Sequence, residues 1–149
     1  MLGLLGRDPD FLVLGSQRAG TTSLHQWLDT HPGVRMAHPK EVHYFDLQHM
    51  RGSSWYRSHF PRRDRRLAGE VTPYYLYHPA VPARVREALP HARFVVCLRD
   101  PVARAYSQFR HERELGFEPV EDFAEALALE EGRLGSAVHR LVDQPRSDS

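Results

Sequence analysis

Lysine is almost absent from this chain: of 20 basic residues only Lys40 is a lysine, leaving 19 arginines. Coding bias is the plain reading of that imbalance, since 19 arginines cannot all be ligands. Those that fall inside motifs bring a planar fork suited to bidentate phosphate binding. Charge of one sign is not in excess either. Acidic residues number 19 and the formal net charge is +1, so no overall field draws the chain to nucleic acid or a membrane surface. Cysteine is limited to Cys97. A lone thiol forms no internal disulfide and offers no metal-ligand spacing, and inside an apolar run it reads as a buried core residue. Long hydrophobic runs are missing too, so no segment is expected to span a bilayer. Residues 1–6 are apolar but lack the charged start and length of a secretory signal, and the expected location is cytoplasmic.

What remains is an ordinary globular composition, 41% hydrophobic and 26% charged over 149 residues, enough for one domain across residues 1–149. Short apolar strands are predicted at 11–14, 34–37, 67–72 and 93–98, the last being the strongest. Helices are predicted from 21 to the His31-Pro32-Gly33 stop, with Leu24, Trp27 and Leu28 at helical spacing, and near Trp55, Tyr56 and Phe60. Further helices are predicted at 81–89, 103–115 and around 123–128, with one more suggested by Leu134, Val138, Leu141 and Val142. The arginine-rich stretch 62–66 reads as a solvated loop. Strands alternating with helices imply an α/β domain with a mainly parallel sheet, whose ligands bind at the carboxyl ends of the strands; with the first turn described next, the expected fold class is a P-loop-like three-layer α/β/α domain.

Two turns lie at that edge. Gly15-Ser16-Gln17-Arg18-Ala19-Gly20-Thr21-Thr22 follows a strand and opens a helix, the arrangement in which backbone N–H groups cradle an oxyanion. The glycine spacing matches a nucleotide-binding P-loop, but Thr21 stands where ATP- and GTP-binding loops place lysine. A triphosphate would lose a major counter-charge there. The alternative is a glycine-rich turn without a ligand. The second turn, Leu98-Arg99-Asp100-Pro101, leads into a helix carrying Ser107. Arg99 and Ser107 could hold a phosphate monoester between them. Equally, Arg99 could pair with Asp100 while Ser107 is merely solvated.

Taken together, the two motifs resemble those of sulfotransferases that use 3′-phosphoadenosine 5′-phosphosulfate (PAPS), most closely the heparan sulfate branch and its bacterial relatives. Residues 40–46, Trp55-Tyr56 and 69–75 extend the resemblance from about residue 11 to 117. It implies that Arg18, Ala19, Gly20, Thr21, Thr22 and Ser23 bind the 5′ end of PAPS. Arg99 and Ser107 would bind its 3′-phosphate. Glu41 matches the catalytic base of the glucosaminyl 3-O-sulfotransferases, with His43 and Asp46 in supporting positions. Two residues depart from the pattern: Arg18 replaces the family's usual lysine, and Val71 stands where those 3-O-sulfotransferases have a lysine.

The chemistry so implied transfers a sulfuryl group from PAPS to a hydroxyl or amine, on a sugar or small metabolite. Glu41 would take the acceptor's proton, helped by His43, and Arg18 would stabilise the departing phosphate; no metal is required. The partner is therefore a carbohydrate or small-molecule acceptor, with no nucleic acid. A P-loop nucleotide kinase or NTPase fragment is the competing reading, and a non-catalytic nucleotide-binding domain a third. Because no convincing strand follows Leu98, the chain is expected to be the N-terminal portion of a longer enzyme, incomplete at its C-terminus.

Overall fold

The computed structural model describes residues 6–62 and 64–134. They fall into two compact units, one reaching to Leu98 and the other starting at Arg99. The first unit is built on four strands: β1 (Phe11–Val13), β2 (Val34–Met36), β3 (Leu67–Val71) and β4 (Arg93–Val95). Their order is β2-β3-β1-β4, and each of the three pairings is parallel. The α/β class and parallel sheet follow the sequence expectation. So do the strand positions, except that β4 ends at Val95, before the predicted boundary.

Alternation along the strands sends neighbouring side chains to opposite faces. Leu12 and Ala68 enter the larger core with Tyr44, Phe45, Tyr56, Phe60, Val81 and Val85. Val13 and Val71 enter a smaller cluster against Leu24 and Leu28. Those two leucines lie four residues apart on α1 (Thr21–Thr30), which therefore covers the second face. Trp27, which shares their helical spacing, is instead 72% exposed, because it sits between the two leucines in sequence and points off their stripe.

The larger core is closed by α2 (Gly52–Arg57) and α3 (Val81–Ala88). Tyr56 reaches the core from α2, while Val81 and Val85 do so from one stripe of α3. Cys97 packs only partly buried beside the smaller cluster. The expected fully buried thiol is not found, since β4 is an outer strand.

The second unit contains α4 (Pro101–Glu114) and α5 (Phe123–Ala128). Asp100 caps α4 by accepting from the Ala103 N–H at 2.8 Å, and Pro101 occupies the first turn, where a missing N–H costs nothing. Asp122 caps α5 through the Glu125 N–H at 2.9 Å. The helices meet where Tyr106 and Phe109 flank Phe123, each with ring centroids 5.3 Å apart. The helix suggested by Val138, Leu141 and Val142 lies outside the described residues. No helix among the described residues is long and apolar enough to cross a membrane.

Candidate active site

Two loops at the carboxyl edge of the sheet hold most of the candidate site residues. The first leaves β1 through Leu14 and is stitched to the end of β4 and the segment after it. Leu14 N–H donates to the Val95 carbonyl at 3.0 Å, Ser16 N–H to the Cys97 carbonyl at 2.7 Å, and Cys97 N–H to the Gly15 carbonyl at 2.6 Å. Gly15 has φ of +123°, and a Cβ there would stand 2.4 Å from the Pro73 carbonyl oxygen, so no other residue fits. Gly20 caps α1 with φ of 87°. No side chain caps the first turn of α1 and no acidic residue occupies it, so nothing in the helix itself competes with an incoming anion. Thr21 is buried behind the loop, while Arg18 is exposed on it.

The second loop follows β2. Glu41 N–H donates to the Val71 carbonyl at 3.1 Å, fastening the loop to the end of β3. From there the backbone turns so that three ionisable groups meet. His43 Nδ1 lies 2.8 Å from Asp46 Oδ2, and its Nε2 lies 3.4 Å from Glu41 Oε2. Asp46 is closed off from water and also accepts from the Leu47 N–H at 2.6 Å. Lys40 Nζ contacts the other Glu41 oxygen.

Charge follows this geometry. Asp46 first, and Glu41 second, raise the His43 imidazole to about 9 against the cost of burial. His43 is therefore doubly protonated at neutral pH and donates from both nitrogens. The bond from His43, with Lys40 beside it, lowers Glu41 to about 2. In this charge state Glu41 is an ionised carboxylate still partly open to water, with His43 a fixed cation beside it and Asp46 closed off. Among the described residues, positive φ outside glycine occurs only at Arg18 (63°), Glu41 (63°) and His43 (55°). Such backbone costs about 1–3 kcal/mol per residue and gathers at functional sites.

The structure brings Glu41, His43 and Asp46 together on one loop and residues 18–23 together on the other. Arg99 and Ser107 fall in the second unit, Arg99 immediately before the capping Asp100 and Ser107 in the second turn of α4. Asp100 is spent on capping, which gives it a use other than pairing with Arg99. Sequence reasoning does not mark Lys40 as a site residue, although its being the one lysine is a signal in plain view. It misses Tyr75 and Arg84 as well. Both reach the second loop from elsewhere in the fold, and nothing local in the sequence marks such a contact.

Comparison with known proteins adds the following. Residues 8–141 match the family model described as a sulfotransferase domain. A membrane-associated sulfotransferase, kil1, of Dictyostelium discoideum is 36% identical over 105 residues, covering 68% of this chain and 22% of the relative. The human heparan sulfate glucosamine 3-O-sulfotransferase 6 is 38% identical over 104 residues, covering 69% of this chain and 30% of the relative. The crystal structure of a sulfotransferase from Alicyclobacillus acidocaldarius superposes with a TM-score of 0.76 at 30% identity, over 87% of this chain and 60% of that one. The chain thus spans less than a third of the length of these two curated relatives.

Proposed function

The chain belongs to the sulfotransferase family, and from that premise we propose that it carries the donor-binding and proton-accepting parts of a PAPS-dependent sulfotransferase. The acceptor proposed is a hydroxyl or amine on a sugar or small metabolite. The human relative named for heparan sulfate glucosamine supports a sugar. One observation carries the reading: an open α1 N-terminus without the P-loop lysine occurs in the same unit as a Glu41–His43–Asp46 cluster whose first two members stand on left-handed backbone. A kinase or NTPase loop would need its lysine at Thr21.

Within the first unit, the residues present fit the 5′ end of such a donor. The amides of residues 20–23 would hold the 5′-phosphate end, with Arg18 adding charge, and Arg99 and Ser107 would take the 3′-phosphate. PAPS, when bound, supplies a sulfuryl group on a phosphate oxygen. Glu41 is ionised and accepts the acceptor's proton as the new O–S or N–S bond forms. His43, held by Asp46, keeps Glu41 in place. Arg18 and the loop amides stabilise the charge left on the phosphate oxygen as its bond to sulfur breaks. A carboxylate at about 2 is a weak base. An acceptor that displaces Lys40 or lengthens the His43 contact makes Glu41 more basic when proton transfer is needed.

Titration with adenosine 3′,5′-bisphosphate, with magnesium-ATP as control, tests the donor site. Binding of the bisphosphate without magnesium supports the reading, and preference for magnesium-ATP would replace it with a kinase. Under conditions with measurable transfer, Glu41→Gln is expected to lower turnover about 10²–10⁴-fold while bisphosphate binding stays intact. Retention of most of the rate would remove Glu41 as the base.

A further inference from the structure

Glu70 is 1% exposed in the middle of β3, with Leu12 and Ala68 on the same face. The proposed chemistry gives it no task, and a carboxylate in a core is costly unless it is fully hydrogen-bonded. Here it is. Its Oε1 accepts from the Tyr56 hydroxyl at 2.6 Å and the Tyr75 hydroxyl at 3.2 Å, and its Oε2 from the Thr72 hydroxyl at 2.9 Å.

Tyr75 links this cluster to the second loop. Its hydroxyl oxygen accepts from the Phe45 backbone N–H at 3.2 Å. A phenol has one proton, so the orientation that receives Phe45 directs that proton to Glu70. The carbonyl side of Phe45 is held from α3, where Arg84 Nη1 donates to the Phe45 carbonyl at 2.7 Å and to the Asp46 carbonyl at 3.1 Å. Both backbone polar groups of Phe45 are therefore fixed from other elements. The next residue, Asp46, holds His43, and His43 faces Glu41.

We propose that Glu70 is a positioning residue for the candidate active site, orienting Tyr75 so that the Phe45 amide, and with it the Asp46–His43–Glu41 cluster, keeps its geometry. The loop's two left-handed residues, Glu41 and His43, do not hold themselves, and this buried cluster supplies an anchor from β3. Burial raises Glu70 to about 7, opposed by the three hydroxyls and aided by the charge of Asp46. The anchor survives that titration. When Glu70 is neutral its proton sits on Oε2 and the Thr72 oxygen receives it, while Oε1 still accepts from both tyrosines.

The inference rests on the proposed function for its catalytic meaning, but its test does not require turnover. His43 is titrated by NMR in the 149-residue chain, in wild type and in Tyr75→Phe, Glu70→Leu and Glu70→Gln, with Phe45 amide exchange followed alongside. Wild-type His43 is expected to titrate at about 9. In Tyr75→Phe and Glu70→Leu the midpoint falls by roughly one unit or more toward the ordinary histidine value, and the Phe45 amide exchanges faster. Glu70→Gln restores most of both, because its amide oxygen still accepts from the tyrosines. Near-UV dichroism confirms the fold; should Glu70→Leu fail to fold, Tyr75→Phe, which removes one oxygen, decides the matter. Unchanged His43 titration and Phe45 exchange in folded Tyr75→Phe would overturn the proposal, as would a wild-type His43 titrating near 6.5. Adenosine 3′,5′-bisphosphate binding, measured on the same samples, separates the two ideas. Its absence in wild type counts against the proposed function, and the His43 titration then decides the role of Glu70 by itself.

Discussion

Arg18, Glu41 and His43 carry charge from backbone that favours glycine. At each, the side chain is kept despite a conformational cost. Arg18 offers the clearest separation of the two effects because it is exposed. Arg18→Ala and Arg18→Gly both delete the guanidinium, but only alanine keeps a Cβ in the left-handed region. The glycine variant is expected to be more stable than the alanine variant by about 1 kcal/mol, read from denaturant midpoints. Both should bind adenosine 3′,5′-bisphosphate more weakly than wild type, and by the same factor. Equal stabilities would show that the loop relaxes and stores no strain. The chemical identity of these residues is legible in the sequence because charge stands inside spaced motifs. Their left-handed backbone is not, since nothing in periodicity or composition marks a non-glycine residue at positive φ. Asp46 shows the same limit. In sequence only the resemblance gives it a supporting position, and the fold puts its carboxylate 2.8 Å from His43.

At the scale of elements, strands and helices are legible wherever one stripe of apolar residues meets one core. Both α1 and α3 follow that rule. It fails at β4, where the most apolar run in the chain forms only the short strand Arg93–Val95, with Phe94 54% exposed. A run of apolar residues reports that a segment seeks burial and says nothing about which neighbour provides it. The turn after β4 leads to the helix that carries Arg99 at its entry and Ser107 two turns on. Asp100 and Pro101 fix that entry, so the Arg99 backbone is set by a capped helix. Arg104 lies on the same helix without sharing the Arg99/Ser107 pattern. Arg99→Ala is therefore expected to cost on the order of 1.5–3 kcal/mol of bisphosphate binding, and Arg104→Ala much less. Isothermal titration of the two variants checks this, and equal losses would remove Arg99 from the donor site.

At the scale of the whole molecule, the outer edge of the sheet is where self-association is expected among the described residues. β4 pairs with β1 alone among the described strands. Arg93, Val95 and Cys97 use their backbone groups toward β1, through Asp10, Leu14, Gly15 and Ser16. Successive residues of a strand direct these groups to opposite sides. Phe94 and Val96 therefore present theirs to the outer edge. Their side chains are 54% and 45% exposed, and Leu98 beyond them is 78% exposed. An apolar edge with unpaired backbone groups is a template for pairing with another chain. The 149-residue chain is accordingly expected to self-associate reversibly as its concentration rises through the micromolar to millimolar range, with sedimentation velocity showing species larger than monomer. Val96→Lys places a charge on that edge at a residue whose backbone groups face away from β1, so it should shift the chain toward monomer while leaving adenosine 3′,5′-bisphosphate affinity unchanged. Sedimentation of wild type as a monomer across the range would show that the edge is covered. Association unaltered by Val96→Lys would place the contact elsewhere, with the exposed Val102 and Tyr106 of α4 the next surface to charge.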